Sequence, residues 1–486
     1  MKRIISLILA GLLLASVSVS CAETEAEPEE TTNANEPAAE EVPETEQSYI
    51  DSLGEKNFDG ASFVVAASQQ GSIPAFAREQ TGEVVNDALY ERDLTISDAY
   101  NVVIEYPETP DSPDTANDIA NSVLAGDFYC DLYIDALSNG RTYMSGAFTK
   151  GALYNLLDVP HLQLDQSWWS ELLYDKLQYK GKMYFTSGDV ATASYNSPAC
   201  VFMNLTTAQN QNIAVEEIYQ LVYEGAWTID EVTKRTAGLR VDLNGDGEVK
   251  VVDDSFGIIS ATVELTATEI CVGAGVKYCD IDENGNLVVN LNTEQVINTL
   301  EKLKQCFNEI QPGDDWSPMT DTFKNDRALF LVHFVETAIK LRDMESDFVI
   351  LPMAKYSVEQ ESYMSYTNPH AHSYVAIPLI QPDIERTGFI TEVMEYLSVQ
   401  SVRPTIYDVT LKGKVSRNPD SQAMLDIIFN TSYIDFNALN NFGSSTQLMC
   451  DALFNGADFV SSYKRNQKIM DKTLGSFEEL FQESAE

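Results

Sequence analysis

The sequence predicts an α/β protein built on a parallel, doubly wound sheet, and three observations carry the prediction. Apolar runs and helical periodicities alternate from residue 63 to residue 134 in the order β-α-β-α-β, the pattern of a sheet wound in one sense with helices across its faces. The pattern restarts with new strands after residue 184. At roughly 100–200 residues per domain, 486 residues suggest two or three domains, and two lobes are the simplest case. With 44% hydrophobic residues the chain has ample material for a core.

The elements follow in order. Lys2 and Arg3 precede an apolar run over 4–17, too short for a bilayer span of about 20 residues and suited to a signal-peptide core. Ser18-Val19-Ser20-Cys21-Ala22 resembles a bacterial lipoprotein signal, which makes Cys21 the lipidation site, although Ser18 stands where such signals usually carry Leu. Residues 22–47 hold ten Glu, three Pro and no basic residue. Such a segment cannot bury apolar surface and repels itself, so it reads as an acidic, disordered linker.

In the body, 63–67 reads as a buried strand and 82–100 as a helix with Val85, Leu89, Ile96 and Tyr100 on one face. Strands at 102–106 and 130–134 bracket a helix around 114–125 that stops at Gly126. Strand ends are where ligands of such sheets bind, which singles out Ser68 and Gln69 after the first strand and Asp135, Ser138 and Asn139 after the third. Further strands are expected at 184–186, running into Ser187-Gly188-Asp189, and at 200–204, 287–290, 328–334, 348–352 and 373–378. Helices are expected at about 215–224, 228–238, 293–310, 384–400, 420–430 and 457–482.

Charge bounds the partners. The 75 acidic and 31 basic residues give a formal charge of −44, which argues against nucleic acid, since phosphate binding needs a basic face. Six cysteines besides Cys21 leave disulfides and buried thiols both open. No P-loop, G-x-G-x-x-G, G-x-S-x-G or H-E-x-x-H motif is present.

The sharpest local motif is Asp242-Leu243-Asn244-Gly245-Asp246-Gly247-Glu248-Val249-Lys250-Val251-Val252-Asp253. Calcium takes six to eight hard oxygens, and this spacing aims Asp242, Asn244, Asp246 and Asp253 at one point, with Glu248 adding its carbonyl. The loop is similar to that of dockerins; Lys250 departs from the pattern, and an ordinary turn is the competing reading. The segment beginning at Asp280 lacks the twelfth ligand, and Asn284-Gly285 reads there as a hairpin turn. His370 and His372 lack a third ligand nearby and read as polar loop residues. Trp168, Trp169 and Trp227 read as packing residues, whereas Trp316, in a polar loop, suits stacking on a sugar face.

Longer segments carry a family resemblance. Trp227-Thr228-Ile229-Asp230-Glu231, Asp326-Arg327-Ala328-Leu329-Phe330, Asp347-Phe348-Val349-Ile350-Leu351-Pro352-Met353 with Lys355-Tyr356, and Tyr374-Val375-Ala376-Ile377-Pro378 come in the order found in bacterial extracellular solute-binding proteins of the maltose-binding type. Leu156 to Pro160, Ser167-Trp168-Trp169 and Gly181 to Phe185 resemble lipoprotein members of that group, as does Tyr463-Lys464-Arg465 in the closing helix.

The resemblance implies a two-lobed type II periplasmic-binding-protein-like fold, each lobe a doubly wound, mainly parallel sheet with flanking helices. It divides the body into lobe 1 at 55–186 plus about 327–380, and lobe 2 at 187–326 plus about 381–482. The implied function is capture of a small solute, a sugar or oligosaccharide, for an ABC permease, by a non-enzymatic monomer anchored outside the cytoplasmic membrane. Ser68, Asp135, Ser138, Asn139, Asp189, Trp316, His333 and Glu336 are the expected cleft residues. In that role Trp316 would stack, and Asp135, Asp189 and Glu336 would accept hydroxyl protons. The family's stacking tryptophan would fall on Val335, which cannot stack. A carbohydrate-binding adhesin and a secreted glycan-active enzyme are the alternatives.

Overall fold

The computed structural model describes residues 49, 52–68, 73–110, 112–137, 143–260, 262–307, 310–312, 316–406 and 419–482. The leader, Cys21, the acidic linker, Ser138 and Asn139 lie outside the described residues. The compact body begins at Glu55.

Two sheets organise that body. Strands β1 (Ala61–Ala67), β2 (Val102–Glu105) and β3 (Leu132–Ala136) pair in parallel in the order β2-β1-β3. The helices Val84–Tyr100 and Ser112–Ala125 make the crossovers. All five residues of β3 are buried, as its place between two strands demands. Further along, β4 (Ala199–Asn204), β5 (Phe256–Ser260), β6 (Asp280–Ile281), β7 (Leu287–Val288), β8 (Ile310–Pro312), β9 (Ala328–Phe334), β10 (Phe348–Leu351), β11 (Ser365–Tyr366), β12 (Ser373–Ala376) and β13 (Ser432–Tyr433) follow. The second large sheet has the order β10-β4-β9-β5-β8 and the first is completed as β12-β3-β1-β2. The pairs β6–β7 and β11–β13 are separate. The former is the expected hairpin, with Asp282 Oδ1 accepting from the amides of Asn284 and Asn286, 2.9 Å each.

The two sheets repeat one plan. In each, three parallel strands run second-first-third, and one antiparallel strand joins the outer side of the third. That antiparallel strand comes from the other half of the chain. β12 returns to β3 after the whole second sheet has formed, and β4 leaves lobe 1 to pair with β9.

This corrects the sequence-based division of the body. Segment 327–380 does not belong wholly to lobe 1: β9 and β10 pair inside the five-stranded sheet, and only β12 crosses back. Conversely, the helix Ile384–Leu397 packs on lobe 1, where Phe389 meets Tyr100 edge-on at 4.9 Å. Sequence proximity assigned these segments wrongly because crossing strands exchange between lobes at points that hydropathy does not mark. The strand expected at 184–186 survives only as a single bridge from Thr186 to Val375. All six body cysteines are buried free thiols.

The last helix, Phe459–Glu479, starts on Asp458, whose carboxylate accepts the Ser461 amide at 2.8 Å. Its far end straps the lobes together. Phe477 touches Phe148 of lobe 1 at 5.6 Å and Phe436 and Phe442 of lobe 2 at 5.5 and 5.3 Å between ring centroids.

Candidate functional site

Two segments pass between the lobes side by side, 187–199 and 367–373. They are joined by a bridge from Pro198 to Thr367 and by His372, whose Nδ1 meets Ser197 Oγ at 2.7 Å and whose Nε2 meets Ser187 Oγ at 3.0 Å. Burial pushes the His372 imidazole down to about 3, so it is neutral and acts as a hydrogen-bonded pin. The expectation of a plain loop histidine is corrected: it holds the hinge.

Beside this hinge lies a cavity of ≈ 290 Å³, near the lower end of small-molecule sites. Lobe 1 contributes Trp168 among others, the crossing segments contribute Asp189, Tyr195 and Thr367, and lobe 2 contributes Phe429 and Ser432. Arg403, from the segment after Ile384–Leu397, completes the lining. Tyr195 and Phe429 meet edge-on at 5.9 Å. The lining thus mixes aromatic faces with hydroxyls, an amide and a guanidinium.

Its polar geometry is set by the helix Ile384–Leu397. Glu395 is fully buried and accepts the amides of Asp189 and Val190 at 2.7 and 2.8 Å. Burial first and the neighbouring Asp189 second raise the Glu395 carboxyl well above its usual range. A Cβ on Gly188 would lie 2.2 Å from Glu395 Oε1, so only glycine lets the 187–190 turn wrap this carboxylate. One turn earlier, Glu392 accepts the indole N–H groups of Trp168 and Trp169 at 2.8 Å each. Both tryptophans were expected to be packing residues; Trp169 is buried, and both also line the cavity.

Among the expected cleft residues whose side chains are described, Asp189 alone lines this cavity. Its role differs from the expectation: Oδ1 accepts from the Tyr195 hydroxyl and Oδ2 from Arg403 Nε at 2.6 Å, so it offers no vacant oxygen for a solute hydroxyl. Burial raises its carboxyl while Arg403 pulls it back.

The other expected residues lie elsewhere. Ser68 donates to Asp135 at the ends of β1 and β3, and the Tyr133 hydroxyl donates to the same carboxylate at 2.8 Å. Asp135 is fully buried and serves to tie two strand ends together. His333 is buried in β9, its Nδ1 accepting the Phe334 amide at 2.8 Å and meeting the Thr337 hydroxyl at 2.6 Å; burial lowers it to about 3. Glu336 caps the short helix Thr337–Lys340, and Val335 is core. Trp316 opens the helix Trp316–Lys324. None of Ser68, Asp135, His333, Val335 and Glu336 lines the cavity. The missed residues, Arg403, Tyr195 and Phe429, sit on helices, where a rule about strand ends does not look.

Loop 242–253 folds around its own side chains. Asp242 accepts the amides of Gly245 and Gly247 at 2.7 and 2.8 Å, and Asp246 accepts that of Glu248 at 2.8 Å. Asn244 Oδ1 accepts the Asp246 amide at 2.8 Å, and Lys250 pairs with Glu248 and Asp246. Asp253 is exposed; its neighbour Asp254, fully buried, closes the loop by accepting the amides of Leu243 and Lys250. Among the described residues no three His, Cys, Asp or Glu side chains gather closely enough to hold a metal ion.

No family model matches this chain, and no curated protein sequence does. Solved structures do. The maltose-binding protein MalE from Listeria monocytogenes, in complex with maltose, superposes with a TM-score of 0.57 at 11% identity, covering 88% of this chain and 100% of its own. The cyclic α-maltosyl-1,6-maltose binding protein from Arthrobacter globiformis gives 0.57 at 11%, covering 85% and 99%. UgpB from Mycobacterium tuberculosis, in complex with glycerophosphocholine, gives 0.56 at 14%, covering 83% and 99%. The chain therefore has the two-lobed type II periplasmic-binding-protein-like fold. Among the described residues no helix is long and apolar enough to cross a membrane.

Proposed function

We propose that this protein is an extracellular, non-enzymatic solute-binding protein that captures a small solute, a sugar or oligosaccharide, between its lobes for import by an ABC transporter. The observation that carries the proposal is the cavity at the hinge, where aromatic side chains and hydrogen-bonding groups from both lobes face one small space. In this fold, proteins at 11% identity are described as binding maltose and cyclic maltosyl-maltose. Trp168, Tyr195 and Phe429 supply apolar faces for sugar C–H groups, while Asn430, Ser432 and Thr367 supply polar partners. Lobe closure would remove the solute from water and let both sets act together.

A thermal-shift screen against sugars, oligosaccharides, polyols and peptides tests this, because a solute that binds only the folded state raises Tm. The expected hit also lowers the radius of gyration. A panel yielding neither result favours the adhesin.

Export and anchoring through Cys21 belong to the same reading, supported by the basic start, the apolar run and the acidic linker. Mass spectrometry of the mature protein should find an acylated Cys21 at the N-terminus, and an unmodified N-terminus at another residue contradicts the anchor. Loop 242–253 is read as a structural calcium site in lobe 2, supported by the spacing of Asp242, Asn244, Asp246 and Asp253 along the chain. Calorimetry with calcium and with chelator decides between this and a plain turn.

A further inference from the structure

We infer that the solute of the hinge cavity carries a carboxylate, and that the outer edge of the Arg403 guanidinium is the group that selects it. This deepens the solute-capture reading and rests on it. Within a chain of formal charge −44, the cavity is unusual in what it presents. Among the described residues lining it, Asp189 is the only carboxylate and Arg403 the only cation. Both oxygens of Asp189 are engaged, and its side chain is only 5% exposed. Arg403 is engaged on one side alone. Its Nε donates to Asp189 at 2.6 Å and to the Tyr195 oxygen at 2.9 Å, while its side chain stays 37% exposed. Neither Nη1 nor Nη2 has a hydrogen-bond partner among the described residues.

A guanidinium is planar, and its Nη1–Nη2 edge matches the spacing of two carboxylate oxygens. Fixing Nε to Asp189 and Tyr195 sets the plane of that fork before any solute arrives. Asp189 is itself held through its amide by Glu395. Asp189, Tyr195 and Glu395 are thus positioning residues, and Arg403 is the contact. Neutral donors complete the wall: Asn430, Ser432 and Thr367, whose buried hydroxyl lacks a hydrogen-bond partner. Together they fit an acidic sugar, with the carboxylate on Arg403 and ring hydroxyls on the neutral groups.

The test is calorimetric titration of the full mature chain with matched pairs. One pair is a galacturonic-acid oligosaccharide and the same oligosaccharide with its carboxylates reduced to primary alcohols; others are aldonates against the corresponding alditols. The acid of a pair should bind about ten- to a hundredfold more tightly, the range of a charge-assisted bidentate contact, and added salt should narrow the gap. Arg403→Gln should abolish the preference, read as the ratio of acid to neutral affinity within each pair. Arg403→Lys, which keeps the charge and loses the fork, should retain part of it, and circular dichroism checks that both variants fold. Equal or tighter binding of the reduced members, or a preference that survives R403Q, overturns the inference and leaves solute capture standing. Failure of every acid and neutral solute to bind overturns both.

Discussion

Two of the places where the lobes meet are built from opposite chemistry. At the hinge, contacts are polar and directional: Ser197, His372 and Ser187 form one chain, and Glu395, the Asp189 amide, Tyr195 and Arg403 form another. At the far end of the last helix, contacts are aromatic. Phe477 and Phe481 pack among Phe148, Tyr184, Phe436 and Phe442 with centroids 5.3–5.7 Å apart. Dispersion and apolar burial tolerate sliding and rotation, whereas a hydrogen bond is lost once its geometry fails. The aromatic strap therefore supplies cohesion, and the hinge sets the orientation of groups around the cavity.

Four measurements can break or sharpen that contrast. The largest effect is expected from Gly188→Ala. Its Cβ would force the turn off Glu395, leaving a buried carboxylate without its two amides, at a cost of about 4 kcal/mol in denaturant unfolding. Solute affinity should collapse with it. Phe477→Ala should cost about 3 kcal/mol by opening a cavity, yet leave the ranking of solutes unchanged; an altered ranking would mean the strap also sets orientation.

Glu269 is the exception that sharpens the comparison. It is buried in the helix Val263–Gly273, neither of its carboxyl oxygens has a partner, and burial pushes its carboxyl up to about 8. Between the unfolded value near 4.5 and about 8 the folded state holds the proton more tightly, so stability falls as pH rises through that window. Glu269→Gln should flatten the fall and stabilise the protein by roughly 1–3 kcal/mol at pH 8, with little effect at pH 4.5. The smallest effect runs the other way. His372 and His333 are both lowered to about 3 in the fold, so the unfolded chain takes up protons first and stability falls as pH drops below about 6.5. Each should cost about 1 kcal/mol by pH 5.5, and His372→Asn should remove one share in a pH series of unfolding.

Much of the architecture was readable because it is local. Residues 63–67 and 328–334 were legible as strands from continuous apolar runs, and Ala328–Phe334 is observed as expected. The parallel order of β1, β2 and β3 followed from the alternation of apolar runs with helical periodicities. β5, with the short run Phe256-Gly257-Ile258-Ile259, was not read, because its glycine interrupts a brief signal. That glycine is required by packing: a Cβ there would meet Thr236 at 2.5 Å.

Of the candidate site, Asp189 was visible through Ser187-Gly188-Asp189 at the end of an apolar run, but as a free acceptor. Only the fold shows its oxygens taken by Tyr195 and by Arg403, which lies 214 residues away. The sequence by itself determined the wound α/β order, the apolar leader, the acidic linker and the calcium-like spacing, since each depends on neighbours within one turn or one strand. The tertiary structure decided which lobe owns β9, β10 and Ile384–Leu397, and which side chains share the cavity. Those depend on strand exchange between lobes and on hydrogen bonds spanning hundreds of residues, and neither leaves a periodic trace along the chain.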